Sequence, residues 1–160
     1  MESILDNLTL VYGIAKIFPH GSKAFKQLQL QDVIKISNSK PNVEQILSVY
    51  VNVEITNTHI ISTATGQSCE GQILKEKKLV VEGEILQKLE YITDLEEQSI
   101  HAAHFVMPFS SFIVLGKEDD CYSGFDVTGY IEDIYVKKID KRRVFKNVIL
   151  LLNAVPVSKI

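Results

Sequence analysis

Apolar and polar residues alternate with a period of two over most of this chain. In LVVEGEILQKLEYI, Leu79, Val81, Ile85, Leu89 and Tyr91 share one parity, and Glu82, Glu84, Lys88 and Glu90 share the other. That pattern predicts a half-buried strand with its charges on the wet face. VYVNVEITNTHII repeats it, with Val49, Val51, Val53 and Ile55 set against Tyr50, Asn52, Glu54 and Thr56. β-branched and aromatic residues are frequent in both stretches, as strands prefer. Neither stretch spaces its apolar residues at i, i+3 and i+4, as a helix would.

The same reading predicts strands over Phe25–Ile36, Ile100–Leu115 (with a break at Pro108 as an option), Val127–Ile139 and Val144–Val155. The separators SNSKPN (37–42), TATGQS (63–68), KEKK (75–78), TDLEEQ (93–98), GKEDDCYSGFD (116–126) and DKRR (140–143) carry turn chemistry. Short strands with regular turns predict an all-β fold, an antiparallel β-sandwich of about 6–8 strands with little helix. VFKNVILLLNAV is apolar on both faces from Val148 to Leu152. It is either a central strand covered on both sides or a strand that meets another subunit.

The N-terminal stretch LTLVYGIA sets Leu8, Leu10, Tyr12 and Ile14 against Thr9, Val11, Gly13 and Ala15. It reads as a first strand, as an arm that adds to a neighbour's sheet edge, or as part of a short helix over Ser3–Leu10. The row Leu8, Leu10, Tyr12 and Ile14 is the candidate subunit interface. The domain reading is therefore an arm or first strand over 1–24 and one β domain over 25–160.

Composition narrows the function classes. A chain of 160 residues suits a single domain that needs no staples to fold. Net charge is −3, with both signs mixed along the chain, so there is no basic stripe for nucleic acid and no polybasic handle for anionic lipid. No window approaches the ~18 apolar residues of a membrane span. MESILDNLTL does not resemble a secretory leader, so synthesis in the cytosol without general export is expected. Cys69 and Cys121 lie in no CxxC pattern, which predicts free thiols in a reducing compartment.

Candidate chemistry is thin. SIHAAHF places His101 and His104 three residues apart, with His20 and His59 as the other histidines. In a strand, residues three apart face opposite sides, so the pair cannot share one metal without a bulge. No metal or cofactor site is expected. GQSCEG puts Cys69 in a turn beside Glu70, a poor setting for a reactive thiolate. The carboxylates Glu96 and Glu97, and Glu118, Asp119 and Asp120, sit in turns and fit no calcium loop. Neither GxSxG, GxxxxGK[ST] nor GxGxxG is present. The basic run KKIDKRR (137–143), continued by Lys146, reads as a wet hairpin turn first and as a grip for an acidic partner second. No catalytic residue emerges, and an enzyme is not expected.

Four runs taken in order carry a family resemblance: KPNVEQILSVYVNVEITNTHIISTATGQSCEGQ, KLVVEGEILQKLEYI, QSIHAAHFVMPFSSFIVL and YIEDIYVKKIDKRRVFKNVILLLNA. Over residues 25–156 the chain resembles the SPOCS domain of spore-coat and spore-morphogenesis proteins of endospore-forming bacteria. The resemblance implies a framework strand at HAAHF and no zinc chemistry. Larger members carry a LysM module after this domain and dock onto the ATPase of the coat's basement layer. This sequence reaches Ile160 without such a module, so the expected role is that of stand-alone members. That role is a non-enzymatic structural protein of the spore coat or surface. It would be made in the mother-cell cytoplasm, associate with itself and with other coat proteins, and bind no nucleic acid. The alternative is a module for a small ligand or a cell-wall glycan.

Overall fold

The computed structural model describes residues 9–62, 66–67, 69, 73–74 and 77–159. Among these residues nine strands follow one another: β1 (Leu10–Tyr12), β2 (Ala24–Lys35), β3 (Val43–Ser62), β4 (Gly66–Gln67), β5 (Ile73–Leu74), β6 (Lys77–Thr93), β7 (Ile100–Val114), β8 (Tyr122–Lys138) and β9 (Arg143–Lys159). One sheet runs β1-β3-β6-β7 and the other β2-β9-β8, while β4 and β5 pair as a small ribbon. All pairings are antiparallel except β1 with β3. The all-β sandwich expected from the alternation is the fold observed.

Parity decides what is buried. On β6, Leu79, Val81, Ile85, Leu89 and Tyr91 all point into the core, and Glu82, Glu84, Lys88 and Glu90 face outward. Val49 and Val51 of β3, Phe109 and Ile113 of β7, and Val144, Val148, Leu150 and Leu152 of β9 complete the inner layers. Burying such side chains stabilises the fold by roughly 1.5–3 kcal/mol each. Gly83 stands opposite Phe109, whose ring fills the space a Cβ would need; a Cβ there would lie 2.6 Å from the ring.

Several boundaries differ from the sequence reading: β6 begins at Lys77, inside the expected KEKK turn, Gly66–Gln67 of TATGQS is strand, and β9 runs past Val155 to Lys159. Pro108 does not break β7; it stays in register with Glu84, on a strand whose other side has no neighbour and a missing N–H costs little. The segment 116–126 is not all turn. A 3-10 turn at Lys117–Asp119 is followed by β8 from Tyr122, because β9 continues to Lys159 and offers it a partner. Phe125, inside the supposed turn, is buried.

The arm holds the two sheets together along one side. Leu10–Tyr12 pair with Ser48–Tyr50 of β3, the outermost long strand of its sheet. Gly13 then turns at φ +118°, so close to β3 that a Cβ would sit 1.9 Å from the Val51 carbonyl oxygen. Ala15 N–H next donates to the Ile131 carbonyl of β8, the edge of the other sheet, at 2.8 Å. The first and last of these contacts, at Ser48 and at Ile131, border irregularities in the ladder, between Ile46 and Ser48 on β3 and between Ile131 and Asp133 on β8. Such bulges re-aim backbone groups away from the regular pairing direction.

At one end of the sandwich the crossover 36–42 is clamped by the β8–β9 hairpin. The Arg142 guanidinium donates to the carbonyls of Ile36 (3.0 Å), Ser37 (2.6 Å) and Lys40 (2.7 Å) and to Asn42 Oδ1 (3.2 Å). Tyr91 Oη donates to Pro41 O at 3.0 Å, and Lys40 Nζ to Ala102 O at 2.8 Å. Asn42 and Lys141 both donate to Asp94, which holds its carboxyl below the usual range. The basic run is therefore a structural turn, and Arg142 acts as a planar fork that satisfies loop carbonyls.

Arg142→Ala leaves those acceptors unpaired and is expected to lower stability by about 2–4 kcal/mol. Among the described residues Arg143 pairs with exposed Asp140 three residues away, so Arg143→Ala should leave the unfolding midpoint nearly unchanged. Urea unfolding of the two variants checks the contrast.

Candidate functional site

The two histidines fall on opposite faces of β7, as strand geometry requires. His101 points inward, its ring 6.2 Å from that of Tyr91, and His104 is exposed. Among the described residues no group of three or more His, Cys, Asp or Glu side chains is placed to hold a metal ion. Cys69 and Cys121 are both free and exposed, and the Cys121 thiol donates to Glu118 O at 3.5 Å. The acids of the two turns act locally. Asp119 accepts from Gly116 N–H at 2.8 Å, Asp120 pairs with Lys77 at 3.5 Å, and Glu96 and Glu97 are exposed.

Of the candidate interface row, Leu8 lies outside the described residues. Leu10, Tyr12 and Ile14 remain 58%, 44% and 40% exposed although the arm is docked, because the opposite parity, Val11, turns toward the core. Ile17 and Phe18 continue the apolar surface, with Phe18 beside Tyr130 of β8 at 6.1 Å. Tyr12 stacks on Tyr50 at 4.6 Å, and Lys88 Nζ lies 5.1 Å from the centre of the Tyr50 ring. Lys88 also pairs with Glu90 at 2.8 Å, and Ser48 Oγ donates to the same carboxylate at 3.0 Å. That bond raises the Lys88 pKa, and the Lys88 and Ser48 bonds lower that of Glu90. Tyr12, Tyr50 and Lys88, with Leu86 and His104, line a shallow depression of about 310 Å³ on the outer face of the sheet.

The sequence reading grouped Lys146 with the wet basic turn, and the structure corrects that. Lys146 shares its parity with Val144, Val148, Leu150 and Leu152, and it is completely buried between the sheets. Its ammonium donates to the Met107 sulfur at 3.3 Å, a weak acceptor. Asp32, opposite it on β2, is the acid that favours its charged form, and Val136 flanks it on β8. Burial outweighs Asp32 and pulls the pKa down to about 8. The period-two rule that located the core already placed this position inside; the neighbouring lysines and arginines obscured it.

A lysine with a lowered folded-state pKa binds its proton more weakly in the native than in the unfolded chain. Stability therefore rises with pH between about 8 and 10.5, where only the unfolded state keeps the proton. Lys146→Met should be more stable than the parent at pH 7. Its advantage should shrink by an amount on the order of 2–3 kcal/mol as pH rises through that window. Urea unfolding of both proteins across the pH series checks the prediction.

No curated protein and no solved structure matches the chain with significance. The family model described as SipL, SPOCS domain matches residues 42–139, more than half of the sequence. The matched span runs from the Arg142-clamped crossover through β3, β6 and β7 to the end of β8. No helix among the described residues is long and apolar enough to cross a membrane. With that match over its central strands, the chain belongs to the SipL, SPOCS-domain family, a sporulation-related family that is not known for enzymes.

Proposed function

We propose that this protein is a non-enzymatic structural component of the spore coat or spore surface, working through association with copies of itself and with other coat proteins. In this reading it is made in the mother cell and deposited on the forming coat. The observation that supports it best is the outward apolar row Leu10, Tyr12 and Ile14, extended by Ile17 and Phe18. A docked arm that keeps its large side chains in water is costly, and contiguous apolar surface of this kind marks association surfaces. Family membership supplies the sporulation setting.

The second reading, a small-ligand or cell-wall glycan module, has the depression beside the stacked Tyr12 and Tyr50 in its favour. Lys88 and His104 border it, but it is shallow.

Light scattering and electron microscopy of the purified chain against concentration separate the two. Association predicts assemblies that Leu10→Asp with Ile14→Asp abolishes while the melting temperature stays within a few degrees, because both side chains are already exposed. Deleting residues 1–18 should lose the assemblies and lower the melting temperature as well, since the β3 and β8 contacts go with it. A strict monomer whose Tyr12 and Tyr50 resonances shift with added muropeptide would favour the ligand module instead.

A further inference from the structure

β2 is bonded to β9 on one side only. The direction of its free side is marked by Val33, whose N–H turns away from β9 and donates to the Asp32 carboxylate at 2.8 Å. By the period of two, Phe25, Gln27, Gln29 and Gln31 aim their backbone groups the same way. Among the described residues no backbone hydrogen bond from outside the sheet reaches this edge. It contains no proline, whereas the other open edge, β7, carries Pro108.

We propose that β2 pairs antiparallel with β2 of a second copy about a two-fold axis at Gln29. Opposite residues of an antiparallel pair share a face, so the axis must fall on a residue. With the axis at Gln29, Lys26 meets the second copy's Asp32, and by symmetry Asp32 meets its Lys26. Leu28 meets Leu30 on the inner face. Gln27 meets Gln31, and Phe25 meets Val33, on the outer face, where both apolar side chains are exposed in the single chain. An axis at Leu30 sets Lys26 against Ile34 and Asp32 against Leu28. An axis at Leu28 sets Lys26 against Leu30 and Asp32 against Ala24. Only Gln29 matches opposite charges, and it matches them twice, which identifies a copy of this chain as the occupant. The Asp32 carboxylate stands in for a missing strand in the monomer. On pairing, Val33 N–H donates to the second copy's Phe25 carbonyl, and the carboxylate turns to Lys26. The product is a continuous sheet in the order β8-β9-β2-β2-β9-β8.

This inference deepens the association reading and can fail separately from it. In the full chain with Cys69 and Cys121 replaced by serine, Gln29→Cys should cross-link to a disulfide dimer under mild oxidation. Gln31→Cys should do so only when mixed with Gln27→Cys chains. Lys26→Glu should raise the dimer dissociation constant at least about tenfold in sedimentation equilibrium, and mixing it with Asp32→Lys should restore a heterodimer. Asp32 also faces Lys146, so the Gln29→Cys arm decides the matter if Asp32→Lys fails to fold. Gln31→Cys cross-linking alone as readily as Gln29→Cys, or a wild-type monomer at every soluble concentration, overturns the pairing. Larger assemblies that ignore Lys26→Glu would leave association standing and remove this interface. Dimers of the stated register without larger assemblies would keep this interface and remove the arm's apolar row as an association surface.

Discussion

A sheet edge is a row of backbone donors and acceptors that something must satisfy, and this fold is organised around how its edges are treated. Along one side, β3 and β8 would both end in open ladders. The arm lies between them, bonding β3 through Leu10–Tyr12 and β8 through Ala15. The approach is close enough that only glycine fits at position 13. Along the other side, β7 and β2 have no such strap. Proline interrupts the donors of β7, and a local carboxylate occupies one amide of β2. The backbone ladders are closed where the arm reaches and open where it does not.

The charged groups sort by the same logic of satisfaction. Arg142 sits among loop carbonyls that would otherwise lack donors, so it ties the crossover between the sheets to the hairpin beside it. Lys146, four residues further on, has only a thioether and a neighbouring strand's aspartate. Burial works against its charge, and Asp32 offsets only part of that cost. In the paired arrangement Asp32 lies beside both Lys146 and the second copy's Lys26. The open edge and the buried lysine then belong to one electrostatic neighbourhood.

Much of the architecture was legible in the sequence. Period two placed Leu79, Val81, Ile85, Leu89 and Tyr91 inside and separated His101 from His104. It went unused at Lys146, where the charge of the residue and its neighbours outweighed the parity of Val144 and Val148. Turn chemistry misled at Gly124 and Asp126, because a long partner strand, which sequence composition does not reveal, carries pairing past them. Of the two readings of the last apolar strand, the structure shows the central one: β9 is bonded on both sides, with Ile149 and Leu151 half-buried on its outer face. For the N-terminal row, alternation identified the two faces of the arm but not which one would turn inward. Val11 does so, because Gly13 fixes the angle at which the arm meets β3.

In the arrangement proposed, the arm seals one side of the sandwich and the other pairs with a second chain. Residue-resolved amide hydrogen exchange at several protein concentrations separates the two sides. At high dilution the amides of Tyr12 and Ala15 should exchange slowly, while those of Gln27, Gln29 and Gln31 exchange quickly. The three glutamine amides should become protected as concentration rises, with the arm amides unchanged. Rapid exchange throughout the arm at dilution, together with glutamine amides whose rates ignore concentration, would contradict the account.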